Sequence, residues 1–112
     1  MSVVFLPEVR EYFNNMACIL YEKGYFSFED TAQKYVEDLF DAIEMDLPIH
    51  LHKPAPKYFD KYGKDMEYAV FRKSRHTSWY VFFRIYKKGW EDVYQVRYIA
   101  NNHTIAQYII EY

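Results

Sequence analysis

The sequence predicts an α+β fold in which a helical hairpin packs on a mainly antiparallel sheet, in the order β-α-α-β-β-β with a terminal helix. Three observations predict it. Apolar residues recur at helical spacing in two stretches between residues 8 and 47. Three strand-like runs follow between residues 66 and 100, separated by short polar connections. The length of 112 residues suffices for one domain and is too short for two.

Val3-Val4-Phe5-Leu6 is a short apolar run that suits a strand, and Pro7 ends it and opens a helix, where its missing N–H costs nothing. Glu8 and Glu11 favour the helix start. Val9, Tyr12, Phe13, Met16, Ala17 and Leu20 form one face, and Gly24 is placed to stop the helix. Ser27 reads as the cap of a second helix, with Glu29 and Asp30 in its first turn. Phe28, Ala32, Tyr35, Val36, Leu39, Phe40, Ile43 and Leu47 form its apolar face, and Pro48 terminates it. A short loop between two helices makes them an antiparallel hairpin.

From Pro48 to Asp65 the pattern breaks, and Leu51, Tyr58, Phe59 and Tyr62 predict a loop that packs on the body. Met66–Lys73, Ser78–Tyr86 and Val93–Ala100 read as strands joined through Ser74–Thr77 and Lys87–Asp92, an antiparallel meander. The middle strand is apolar on both faces, which makes it central. Asn101-Asn102 reads as a turn, with Thr104 capping a final helix through Ile110.

Composition narrows the function classes. Aromatic residues are 21% of the chain, mostly Tyr, which suits strands and contact-making surfaces and weighs against disorder. A single cysteine, Cys18, excludes an intramolecular disulfide, and the start MSVVFLPEVREYF lacks the basic and apolar runs of a secretory signal. No stretch approaches the roughly 20 apolar residues that span a bilayer. These features predict a cytoplasmic protein with no membrane partner. A net charge of −2 weighs against a broad basic field for nucleic acid, though not against a local basic patch.

Alternation along the middle strand directs Trp79, Val81, Phe83 and Ile85 to the helices and Tyr80, Phe82, Arg84 and Tyr86 to the other side. Gln95 and Arg97 share one parity on the next strand. The expectation is an exposed sheet face carrying Tyr80, Arg84, Tyr86, Gln95 and Arg97, with Arg72 as a further member.

In its element order the chain resembles the RelE/ParE toxin superfamily. The residues that carry the resemblance are the opening strand and Pro-Glu helix start (Val3 to Glu8), the Ala32–Leu39 stretch and the Tyr68–Arg72 strand. The Trp79–Phe83 strand and the run from Val93 through Ile99 into Asn101-Asn102-His103 complete it. The resemblance implies a plasmid-stabilisation or toxin–antitoxin toxin, neutralised by a small cognate antitoxin. RelE-type members cleave mRNA on the ribosome, and ParE-type members inhibit DNA gyrase without chemistry of their own. The chain departs from the nuclease pattern in being slightly acidic, in having Ala69 where an arginine often follows the strand tyrosine, and in lacking a general base matched by position. These departures lean toward the ParE type. A non-toxic protein-binding module with the same fold is the alternative.

Metal-free RNA cleavage needs a base, an acid and cations around one phosphate. The candidates are Arg72, Arg84 and Arg97 as clamps, His103 as acid or base, and Tyr108 as a stacking or acid group; ordinary surface ion pairs are the competing, and favoured, reading of the arginines, and capping or an exposed ring explains His103 equally. His50 and His52 share a side in an extended segment but lack a third ligand, so no metal is expected. Cys18 reads as a small apolar filler. Three scattered glycines form no phosphate loop, and no cofactor is expected.

Overall fold

The computed structural model of the protein describes residues 1–105 and 108–109. Its order is β1 (Ser2–Phe5), α1 (Pro7–Glu22), α2 (Glu29–Asp46), β2 (His52–Pro54), β3 (Glu67–Arg72), β4 (Ser78–Lys88), β5 (Glu91–Asn101) and α3 (Asn102–Ile105). Short 3-10 helices occupy Leu47–Ile49 and Lys57–Tyr62. The sheet is mixed and five-stranded, ordered β1-β5-β4-β3-β2, with β1 parallel to β5 and every other pair antiparallel. The α+β expectation therefore holds, with β4 central.

α1 ends as Gly24 predicts. Gly24 has φ +81, its N–H donates to Tyr21 O at 3.0 Å, and Tyr25 N donates to Leu20 O at 3.0 Å, which closes the helix with a left-handed residue after its cap. α2 starts differently from the expectation. Phe28, extended and 71% exposed, takes the cap position that the sequence suggests for Ser27, and no side chain caps the helix. Glu29 and Asp30 meet the positive helix end instead. The exposed position also removes Phe28 from the apolar face.

Two cores lie on opposite faces of the sheet. The first seats Val9, Phe13, Met16 and Ala17 of α1 and Ala32, Val36, Leu39 and Ile43 of α2 on Ala69, Phe71, Trp79, Val81, Phe83, Tyr94 and Val96. Phe5 stacks on Phe40 at 4.6 Å, and Phe13 meets both edge-on. Trp79, fully buried, donates its indole N–H to the Tyr35 hydroxyl at 2.8 Å, so one bond ties α2 to the central strand. Cys18 is not in this core. It lies exposed on the outer side of α1 with its thiol 3.4 Å from Glu22 Oε1, and that carboxylate holds its pKa up.

The second core corrects the expectation of a free sheet face. Phe59, Met66, Tyr68, Phe82, Ala100 and Ile105 are buried there, with Ala55, Tyr62, Tyr80, Tyr98, Tyr108 and Ile109 packed around them. The 48–65 segment folds back as a roof. Phe59 stacks on Phe82 at 4.2 Å, and Ala55 N donates to Met66 O at 2.9 Å. The physical reason is that Phe82 and Tyr68 bring more apolar surface to this face than water tolerates.

Strand β2 was not expected, and it caps the outer edge of β3 as far as Ala69. Beyond it the His50 ring takes over, bonding Val70 O at 2.7 Å and stacking on Phe71. The chain thus blunts its own sheet edge, and the Lys53 and Pro54 types in β2 suit that role.

β4 and β5 run further than expected, so the predicted connection Lys87–Asp92 shrinks to Gly89-Trp90, with Lys88 opposite Glu91. Gly89 supplies the positive φ (+64) that a two-residue hairpin turn uses. β3 stops opposite Phe83, so the β4–β5 ribbon projects beyond the sheet and every residue from 84 to 91 is exposed. Ile85 is therefore not covered by the helices. At the other end, Asn101 closes β5 rather than a turn and accepts a bond from His103 N at 2.9 Å. It takes the capping role expected of Thr104, whose hydroxyl donates back to Asn101 O. The remainder of the predicted final helix, at residues 106–107 and 110, lies outside the described residues.

Gly63 marks where the roof returns to the sheet. Its φ is +148, and a Cβ there would stand 2.6 Å from Arg97 Nε. Gly63→Ala is expected to lower stability by about 1–3 kcal/mol through backbone strain and displacement of that guanidinium. Urea unfolding measures this, and an unchanged midpoint would contradict the close approach.

Candidate binding face and adjoining cleft

The pairing of β4 with β5 slips once, between Phe82 and Phe83. Phe83 faces Val96 and Phe82 faces Tyr98, which leaves Arg97 as an extra residue. Such a bulge re-aims a side chain. Here Arg97 donates from Nε to Tyr62 O at 2.7 Å and from Nη1 to Gln95 Oε1. Arg84 pairs with Gln95, and Tyr86 follows two residues along on the same face. Arg84, Tyr86, Gln95 and Arg97 therefore gather where the roof ends. Arg84 and Tyr86 are exposed, and Gln95 and Arg97 are half-buried. Tyr80, the fifth expected member, is half-buried within the second core and does not join them.

The expected catalytic residues do not converge. Arg72 lies opposite Ser78, and its guanidinium turns back onto the carbonyls of Ser74 and Arg75. Six residues of β4 separate Ser78 from Arg84, about 20 Å of strand. His103 borders a hollow with Leu20, Tyr35 and Trp79 on the helical side. Tyr108 stacks on Tyr58 at 3.7 Å as part of the roof's margin. Lys61 lies over Tyr58 at 4.1 Å and donates to its hydroxyl, which pulls that hydroxyl's pKa down.

A cleft of about 570 Å³ opens beside Arg97, where β5 outruns β1. Leu6, Val9, Ile99 and Ala100 supply apolar walls, and Glu8, Tyr12, Tyr62, Tyr98 and Thr104 bring polar groups. Sequence periodicity marks Val9 and Tyr12 only as helix core, and nothing local signals that they also face a cleft. Tyr62 stacks on Tyr98 at 3.8 Å. Burial, reinforced by the Tyr62 hydroxyl, pushes the Tyr98 pKa far above its ordinary value, and burial raises Tyr12 as well.

These shifts set an alkaline limit. Unfolded tyrosine ionises near 10.0, whereas folded Tyr98 and Tyr12 keep their protons. The unfolded state therefore holds fewer protons above that pH. The stability contribution is complete below it and is lost as pH rises toward the folded values. Urea midpoints are expected to fall from about pH 9.5 upward, and less steeply in Tyr98→Phe. Parallel declines in the two proteins would contradict this.

Charge is divided between the two halves of the chain. Residues 1–50 hold ten acidic and three basic side chains, net −7, and residues 51–112 hold six acidic and eleven basic, net +5. The near-neutral total conceals a cationic sheet half. Arg84, Lys88 and Arg97 have no carboxylate partner among the described residues, whereas Lys87 pairs with Asp92 at 3.0 Å. The only histidine–carboxylate pair among the described residues is His52 with Glu67, at 2.9 Å. His50 and His52 do turn to one side, over Phe71 and Phe83, but no three His, Cys, Asp or Glu side chains gather among the described residues. Among those residues no helix is long and apolar enough to cross a membrane. Compared with protein-family models, curated proteins and solved structures, the chain matches none of them.

Proposed function

We propose that this protein is the toxin-like component of a toxin–antitoxin pair of the RelE/ParE kind, acting on a macromolecular target by binding and neutralised by a small cognate antitoxin. The observation that carries the reading is the open cationic patch of Arg84, Tyr86, Gln95 and Arg97 at the end of an otherwise roofed face. Trp, Tyr and Arg dominate the energetics of protein contacts, and this patch and the adjoining ribbon tip present all three. An opening strand, a helical hairpin and three sequential strands also support it, as the element order of the resembled family.

Binding is favoured over cleavage. Arg72, six strand positions from Arg84, and His103, on the helical side beyond the end of β5, lie too far from Arg84 and Arg97 to act on one phosphate, so a gyrase-type target fits better than mRNA cut on the ribosome. The roof over Tyr80 and Phe82 favours the second reading, a non-toxic binding module that uses only the open patch.

Induced expression in a bacterial host separates these readings. Filamentation with DNA damage is the expected result. Rapid loss of translation with cut mRNA would move the function to a nuclease, and unimpeded growth would leave the binding module.

A further inference from the structure

A hollow of about 260 Å³ lies on the helical side of the sheet, away from the candidate binding face. Phe26, Tyr35 and Trp79 form its aromatic walls, with the Phe26 and Tyr35 rings 5.1 Å apart and tilted by 56°. An apolar cavity of about 150 Å³ holds benzene, so the larger hollow suits a molecule of one or two rings.

The polar groups around those walls have donors to spare and acceptors already in use. Tyr35 accepts the Trp79 indole N–H at 2.8 Å, and its own hydroxyl proton has no acceptor among the described residues. Burial holds the Tyr35 pKa up, against a smaller opposing effect of that bond, so the hydroxyl keeps its proton. Asn101 Oδ1 accepts the His103 backbone N–H at 2.9 Å, which fixes the amide orientation and leaves Nδ2 to donate. The Ser74 and Thr77 hydroxyls and the His103 ring are the other polar groups of the lining, and no carboxylate is part of it. Ser74 and Thr77 belong to the β3–β4 turn, where residues 72–77 carry three cationic side chains and no acid. One of them, Lys73, stands 4.9 Å from the centre of the Tyr35 ring, with no carboxylate partner among the described residues. Asp30 and Asp38 border a neighbouring groove that shares Phe26 and Tyr35, and Asp38 is engaged by Lys34 at 3.3 Å.

From these walls and donors we infer that the hollow binds a small aromatic carboxylate. Its ring lies against Phe26, Tyr35 and Trp79, and its carboxylate meets the Tyr35 hydroxyl, Asn101 Nδ2 and the His103 ring. An ionised carboxylate only accepts, so it uses these donors without needing an acceptor in return. Bonds to a charged acceptor are also the stronger kind, which favours the acid over a neutral molecule of the same shape. The hollow shares no residue with the patch of Arg84, Tyr86, Gln95 and Arg97, so the inference stands independently of the proposed function.

Phenylacetate titrated into the isotope-labelled full chain tests it by nuclear magnetic resonance. The Trp79 indole N–H and Thr77 amide signals are expected to shift together, with a dissociation constant of about 1 mM or below, while the Trp90 indole signal stays in place. Phenylacetamide, the neutral analogue, and hexanoate, an aliphatic acid, are each expected to bind about tenfold more weakly. Tyr35→Phe and His103→Leu are each expected to raise the phenylacetate constant about fivefold or more. His103 is exposed, so its replacement leaves the fold intact and separates lost binding from lost packing. No shift at about 10 mM phenylacetate would overturn the inference. So would equal binding of either analogue, or a constant unmoved in either variant.

Discussion

Replacing Phe59 with alanine is expected to destabilise the protein by about 3–5 kcal/mol, the range for truncating a buried phenylalanine. Phe59 is fully buried and is the aromatic centre of the roof, stacked on Phe82 and in edge contact with Tyr58. The segment around it is a six-residue 3-10 helix, whose poor hydrogen-bond geometry gives it little stability of its own. Its other attachments include the Tyr62–Tyr98 stack, the Arg97 bond to Tyr62 O, the Ala55 bond to Met66 O and the pairing of β2 with β3. Loss of Phe59 leaves a cavity over Phe82 and frees the roof to lift. A domain of this size has about 5–15 kcal/mol to lose, so the variant sits near the edge of folding. A lower urea midpoint together with new binding of a hydrophobic dye is the expected signature. A loss below about 1 kcal/mol would mean that the roof does not seal the face.

The second large effect is expected on the opposite face, at Trp79. Trp79→Ala removes the largest fully buried side chain and is expected to cost about 3–5 kcal/mol. Trp79→Phe separates two contributions, because it keeps most of the packing and loses the bond to Tyr35. It is expected to cost about 1–2 kcal/mol, part from the bond and part from lost volume. Burial raises the Tyr35 pKa, and donation from Trp79 partly opposes that. In Trp79→Phe the Tyr35 hydroxyl is therefore expected to titrate later still, read by absorbance during alkaline titration. An unchanged Tyr35 titration would contradict the bond.

Helical periodicity made the hairpin legible because Val9, Phe13, Met16, Ala32, Val36, Leu39 and Ile43 each face a single core. The strands were legible for the same reason, since Trp79, Val81 and Phe83 alternate with Tyr80 and Phe82. What misled was the second face. Alternation reports which side Phe82 occupies and nothing about what covers it, and the covering residue, Phe59, lies in a segment without periodicity. Strand β2 has three residues, too few for any pattern, and its edge is completed by a histidine side chain. Ser27 has the right chemistry for a cap, but helix α2 begins one residue too late to use it.

The candidate site divides in the same way. Arg84, Tyr86 and Gln95 follow from parity along two paired strands. The position of Arg97 depends on a bulge, a local register event that no residue type announces. The bulge also changes what an Arg97 substitution reports. An arginine on an exposed sheet face, where the sequence places Arg97, would tolerate alanine without loss of folding, whereas the bond from Arg97 to Tyr62 O makes that side chain part of the roof's attachment. Arg84, exposed and without a carboxylate partner among the described residues, is the cleaner probe of function.

The proposed function has the protein act through the open end of its sheet face. The most direct measurement compares growth after induction of the unaltered chain with growth after induction of Arg84→Glu/Tyr86→Ser, with matched circular dichroism and matched protein levels. Arrest by the unaltered chain and recovery of growth with the variant are the expected results. Arrest of equal depth in both would contradict it.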